Sequence, residues 1–115
     1  MGRKEPDPGR IDLLQGTLDM LILRTLQWGP QHGHGIGVAI RATSQDVLQV
    51  EEGSLYPALQ RMLIKGWVKA EWGATAENRR ARYYKLTPAG KKQMEVETEQ
   101  FERVIGAIAR VIQTA

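Results

Sequence analysis

The chain is 115 residues long, carries a formal net charge of +3, is 42% hydrophobic and 25% charged, and has no cysteine. That length holds one domain with a modest core, and the absence of cysteine excludes disulfides, thiolate metal sites and cysteine nucleophiles. No segment reaches the ~18–20 uninterrupted apolar residues of a membrane span, and no apolar stretch follows the polar start "MGRKEPDPGR", so a cytoplasmic protein without a membrane partner is expected.

Residues 1–10 mix two prolines, a glycine and alternating charges, and read as a flexible N-terminal arm. "IDLLQGTLDMLILRTLQWGP" is predicted as the first helix. Leu14, Leu18, Leu21, Ile22 and Leu26 recur at spacings of three and four, and Gly29-Pro30 stops it. "GHGIGVAIRATS" is predicted as a second helix of about ten residues, with Ile36, Ala39 and Ile40 at helical spacing and glycines that allow close packing. "DVLQVEEG" is short and alternating, and suggests a brief strand or an extended link.

The stretch "EEGSLYPALQRMLIKGW" is predicted as the third helix. Leu55, Leu59, Met62 and Leu63 share one face with Ala58 at its margin, and Tyr56, Pro57, Gln60, Arg61 and Ile64 occupy the other. With Ser54 as the N-cap, Pro57 would stand at the third helical position, where no intrahelical N–H bond is needed. Lys65-Gly66 closes the helix. "WVKAEW" and "ARYYKL" alternate as two strands joined by the polar loop "GATAENRR", a β-hairpin with a long tip. Thr87 then caps, and Pro88 opens, a helix of about 26 residues, ~39 Å long at 1.5 Å per residue. Met94, Thr98, Phe101, Ile105, Ile108 and Ile112 follow the 3.5-residue repeat of a coiled-coil seam. The seam is expected to pack on another chain, with the first helix contributing, the alternative being that it folds back on the first helix of its own subunit; Leu14, Leu18, Met94, Phe101, Ile105, Ile108 and Ile112 are the expected dimer interface.

Charge is distributed unevenly along the chain. Residues 53–92 hold nine lysines and arginines against Glu71 and Glu77, a net of +7, and the remainder of the chain is net acidic. Such a block is an electrostatic footprint for a polyanion. The fold class is thus mainly α with a small β-hairpin: a winged helix-turn-helix over 11–87 with a C-terminal dimerisation helix over 88–115. In that architecture the third helix enters the major groove of double-stranded DNA and the hairpin wing touches the neighbouring backbone or minor groove.

The expected DNA-binding residues follow from chemistry. The hydroxyls of Ser54 and Tyr56 can bond phosphate or base, and the flat faces of Tyr56 and Pro57 can lie on sugar or a thymine methyl. Gln60 can pair with adenine, and Arg61 and Lys65 can reach phosphates. On the wing, Asn78, Arg79, Arg80 and Arg82 can reach phosphates or a narrow minor groove. His32 and His34 stand without a carboxylate or cysteine cluster, so no metal is expected. No nucleophile elbow, phosphate loop or metal motif is present, so neither catalysis nor a cofactor is expected. Trp28, Trp67 and Trp72 are read as core packing, with an effector pocket as the other use of such residues. A winged helix that docks a protein and binds no DNA is the alternative function.

"GTLDMLILRTL" (Gly16 to Leu26), "HGHGIGVAI" (His32 to Ile40), "EEGSLYPALQRMLIKGWV" (Glu51 to Val68) and "NRRARYYKLTPAGKKQ" (Asn78 to Gln93) resemble the PadR family of bacterial transcriptional regulators in its short, single-domain form. They span most of the chain and depart from the family pattern at Gly37, where a larger or charged residue is usual. The resemblance implies a homodimeric repressor that binds an inverted-repeat operator and is released by a small-molecule effector or partner near the dimer interface.

Overall fold

The structure, a computed structural model, describes residues 15–114. The arm and the interface residue Leu14 lie outside the described residues. In chain order the elements are α1 (Gln15–Leu26), β1 (Gln31–His32), α2 (Gly33–Thr43), α3 (Glu52–Ile64), β2 (Val68–Ala74), β3 (Arg80–Leu86) and α4 (Pro88–Gln113).

The helical stripes meet in one core. Ile22 and Leu23 of α1, Ile36 of α2, and Leu55, Leu59 and Met62 of α3 are fully buried, joined by Val68, Tyr84 and Met94 from the sheet and α4. Each such aliphatic side chain contributes roughly 1.5–3 kcal/mol when removed from water. The inner face of α3 is the one expected from spacing, with Ala58 also buried and Leu63 packed on the cluster. α2 runs straight through Gly37, whose Cβ position is open space.

Helix ends follow local chemistry. Gly66 stands at φ 75°; its N–H donates to the Leu63 carbonyl (3.1 Å) and Trp67 N–H to the Met62 carbonyl (2.9 Å), the paired bonds of a Schellman stop. Thr87 Oγ1 accepts the Gly90 N–H (3.0 Å) at the start of α4 and donates to the Gly66 carbonyl (2.6 Å). One hydroxyl therefore ties the end of α3 to the start of α4.

The start of α3 differs from expectation. Its N-cap is Glu51, not Ser54, and the Glu51 carbonyl accepts both the Ser54 and Leu55 N–H groups (3.0 and 2.9 Å). Pro57 consequently lies inside the helix. It leaves the Gly53 carbonyl without its i→i−4 bond, a loss that is mild because Gly53 is exposed to water.

The sheet also differs in part. Its order is β1-β3-β2, with β1 antiparallel to β3 through Gln31↔Tyr84 and His32↔Tyr83. The third strand therefore comes from the turn between α1 and α2, and the "DVLQVEEG" segment forms no strand element. β2 and β3 pair from Val68↔Leu86 out to Ala74↔Arg80, so the hairpin tip is shorter than the sequence suggested and Arg80 sits on a strand.

Among the described residues no helix is long and apolar enough to cross a membrane. α4 changes character along its length. Its first two turns pack on α1, and Met94 and Leu18 are buried in the core of their own chain. These two interface expectations are corrected: the 3.5-residue repeat marked an apolar stripe without saying that its first turns serve the chain's own core. Beyond them Phe101 is half-buried, and Val104, Ile105, Ile108, Val111 and Ile112 are exposed.

Candidate nucleic-acid interface

The pairing of β1 with β3 shapes the functional face. It lays the wing's inner strand beside the start of α2, and α3 crosses in front. Between them opens a cleft of about 650 Å³ lined by His32 and His34, by Tyr56 of α3, and by Trp72, Arg79, Arg80 and Arg82 of the wing. Residues separated by some fifty positions thus share one positively charged, aromatic surface.

Tyr56 occupies its centre, 45% exposed. Its ring lies 2.6 Å from where a side chain on Gly33 would stand, so any residue but glycine at 33 would push it off the α2 terminus. Burial, then the Glu52 and Tyr84 charges, hold the Tyr56 phenol above its ordinary value. The hydroxyl keeps its proton and can donate to a phosphate or a base acceptor. Gln60, one turn along, is exposed on the same side, and Pro57 and Ser54 are exposed as well. Ile64 continues the outer face at 77% exposure, placing an apolar contact where a thymine methyl or a sugar could meet it.

The wing arginines are held by aromatic faces. The Arg80 guanidinium lies 4.4 Å from the Trp72 ring centroid and that of Arg82 lies 6.0 Å from Tyr84, both within cation–π reach. Arg79 is exposed at the tip, which is closed by bonds from Thr75 N–H to the Arg79 carbonyl (2.8 Å) and from Asn78 N–H to the Thr75 carbonyl (2.9 Å). Asn78 takes the left-handed conformation, φ 61°, which asparagine tolerates better than most residues. Its first role is therefore to turn the tip. Glu77 also lines the cleft and is the single acidic residue on it.

Two expected contacts lie elsewhere. Arg61 is not free for phosphate: its Nη2 donates to Asp19 Oδ1 of α1 at 3.0 Å, and both side chains are at least partly buried. Lys65 sits at the C-cap, its Nζ 4.7 Å from the Trp67 centroid, at the far end of α3 from Tyr56. The tryptophans also depart from a uniform core role. Trp67 packs on the core, whereas Trp72 is 62% and Trp28 86% exposed.

The sequence did not identify His32, His34 and Trp72 as part of this face. His32 caps α2 through Nδ1, which accepts the Gly35 N–H (3.1 Å), and its ring meets Tyr83 edge-on at 5.3 Å. Only the two-residue strand β1 brings the two histidines to the wing, and two residues carry no periodicity to read; Trp72 falls on a predicted wing strand but reads as core from sequence.

The Asp19–Arg61 pair has a testable pH signature. Burial raises the Asp19 carboxyl above its usual value, outweighing the lowering by Arg61 and Lys65. The folded chain then holds a proton there more readily than the unfolded chain does. This group's contribution to stability is fully present at low pH and is lost as pH rises through the raised value. Asp19→Asn removes the titration and keeps an acceptor for Arg61. Urea midpoints are expected to favour wild type over the variant more at pH 4 than at pH 6; a difference independent of pH would refute the assignment.

Comparison with known proteins agrees with this geometry. Residues 22–96 match the model of the transcriptional regulator PadR-like family. A protein X of Lysinibacillus sphaericus is 30% identical over 82 residues, 71% of this chain and 75% of its own. A 37.1 kDa protein of a Streptomyces fradiae transposon is 37% identical over 89 residues, and the chain spans 24% of its length. Among solved structures, a transcriptional regulator from Clostridium thermocellum superposes with a TM-score of 0.75 at 29% identity, covering 84% of this chain and 93% of that one. A PadR family regulator from Clostridium difficile does so at 0.68 and 25%, covering 83% and 97%. With three-quarters of the described residues inside the family match, the chain belongs to the PadR-like family of transcriptional regulators, DNA-binding proteins without enzymatic activity.

Proposed function

We propose that the protein is a homodimeric repressor that works in the cytoplasm, binds an inverted-repeat operator in double-stranded DNA and releases it on binding an effector. The observation that carries the DNA half is the convergence of Tyr56 and Gln60 with Arg79, Arg80 and Arg82 on one face. α3 enters the major groove along its Tyr56–Gln60 side, and the wing holds the flanking backbone. Arg61 serves this function indirectly, by fastening α3 to α1.

The homodimer rests on α4. Five apolar residues between Val104 and Ile112 face water in the single chain, and an apolar stripe of that kind marks an interaction surface. Packing two copies along it sets two α3 helices on one DNA face, about 34–36 Å apart for half-sites one turn apart. The double variant Ile105→Asp, Ile108→Asp is expected to sediment as a monomer. Its operator affinity should fall by about 10²–10⁴, the advantage of linking two binding modules. A variant that stays dimeric would overturn this seam.

The DNA reading is tested by fluorescence anisotropy with a duplex from upstream of the protein's own gene and a scrambled duplex. The expected result is preference for the former and an affinity that falls steeply between about 50 and 200 mM salt. Equal, salt-independent binding to both would reject it. Effector release requires a ligand that binds the two dimer states unequally, and an operator affinity lowered by such a ligand is its signature.

A further inference from the structure

A second cleft, of about 520 Å³, lies away from the DNA-facing surface, between the C-terminal half of α1, the turn that follows it and the C-terminal half of α2. Leu21, Ile40 and Leu48 give it apolar walls, and Arg24 and Trp28 stand at its rim. The Trp28 indole is 86% exposed. No aromatic or cation–π partner covers it among the described residues.

We propose that this cleft is a binding site for a flat, two-ring aromatic molecule that carries no positive charge. Its volume falls within the roughly 300–1,000 Å³ of small-molecule sites, and its make-up, apolar walls with a few polar groups at the edge, is theirs as well. An uncovered indole beside apolar walls offers a stacking face. Arg24 makes no ion pair among the described residues, so its guanidinium repels a cation and tolerates a neutral or electron-rich ring. The exposed apolar stripe of α4, between Val104 and Ile112, contributes no residue to the cleft.

The site is placed to influence the DNA face, and this part rests on the regulator reading above. Gln31 lines the cleft and begins β1, where it pairs with Tyr84. The next residue, His32, caps α2, and the one after, Gly33, abuts Tyr56. A ring held between Trp28 and Gln31 therefore bears on the strand that sets the distance between wing and recognition helix. A ligand that fits one position of that strand better than another changes DNA affinity by that difference.

The test is calorimetric titration of the whole chain with 2-naphthol, and with 2-naphthylmethylammonium as the cationic counterpart. Wild type is expected to bind the naphthol and to bind the cation more weakly. Trp28→Ala should weaken naphthol binding roughly tenfold, the scale of a lost aromatic stack. Ala39→Phe, which fills the cleft and leaves Trp28 in place, should abolish it. Ile105→Asp with Ile108→Asp should leave it intact. Absence of binding by wild type, unchanged affinity in both cleft variants, preference for the cation, or loss in the α4 variant alone would each overturn the site. A second measurement takes operator affinity with and without saturating 2-naphthol. An unchanged value removes the regulatory role. Failure of the DNA reading itself appears separately, as no salt-dependent duplex binding at any ligand concentration.

Discussion

Replacing Arg79 and Arg80 together with alanine should weaken operator binding roughly 4,000-fold near 0.1 M salt, since the proposed homodimer loses two arginines from each of its two wings and each phosphate neutralised releases about 0.9 counterion. The same change should reduce the slope of log K against log salt by about 3.6, and it should weaken scrambled duplexes in proportion, because phosphate contacts carry no sequence information. Trp72→Ala separates charge from placement. Arg80 keeps its charge in that variant and loses the ring it lies on at 4.4 Å, so affinity should fall a few-fold with the salt slope unchanged. Anisotropy titrations at four salt concentrations give both quantities. If the double variant retains the wild-type slope, the wing does not hold the backbone.

The largest expected effect on stability is at Gly90. Its N–H is capped by Thr87, and a Cβ built there falls on the Trp67 carbonyl oxygen, well inside van der Waals contact. That oxygen already accepts the Thr87 N–H at 3.0 Å, and it belongs to backbone that cannot rotate away as a side chain would. Gly90→Ala should therefore destabilise the fold by about 2–4 kcal/mol, lowering Tm by about 10 °C or more. Gly37→Ala is the matched control. It too lies within a helix, but with open space beyond it, and should stabilise by about 0.5–1 kcal/mol. Equal effects of the two substitutions would mean that the close approach at Gly90 does not constrain the chain.

What could be read from the sequence was local. The threonine cap, Pro88 and the length of α4 are properties of neighbouring residues, and the structure has them as expected. The inner face of α3 was legible for the same reason, because periodicity directly reports which side is buried. The errors arose where a distant partner decides. Arg61 looked like a phosphate ligand until Asp19, 42 positions earlier, took it. Leu18, from the stripe of α1, and Met94, from the seam of α4, were expected at the dimer interface but lie together in the core cluster of one chain. The Ser54 error was local instead: the chain turns into the helix three residues earlier, at Glu51, whose carbonyl accepts the Ser54 and Leu55 N–H groups. The candidate DNA face was half legible: its arginines and Tyr56 announced themselves by type, whereas His32 and His34 joined it only through the pairing of β1 with β3, and Trp72, on a predicted strand, reads as core from sequence but is exposed.

The early start of α3 has an electrostatic consequence. A helix presents the positive end of its macrodipole at its N-terminus, and many proteins set that end against a phosphate. Here the cap is Glu51 and the first turn holds Glu52, two carboxylates that offset the positive end and would repel a phosphate placed there. The recognition helix is therefore turned away from end-on docking. In the proposed complex it meets DNA with its flank, through a phenol, an amide and an aliphatic side chain, none of which carries charge. On that proposal attraction to the backbone is left to the wing, so the element that reads bases and the element that supplies salt-sensitive affinity are physically separate and can be altered one at a time.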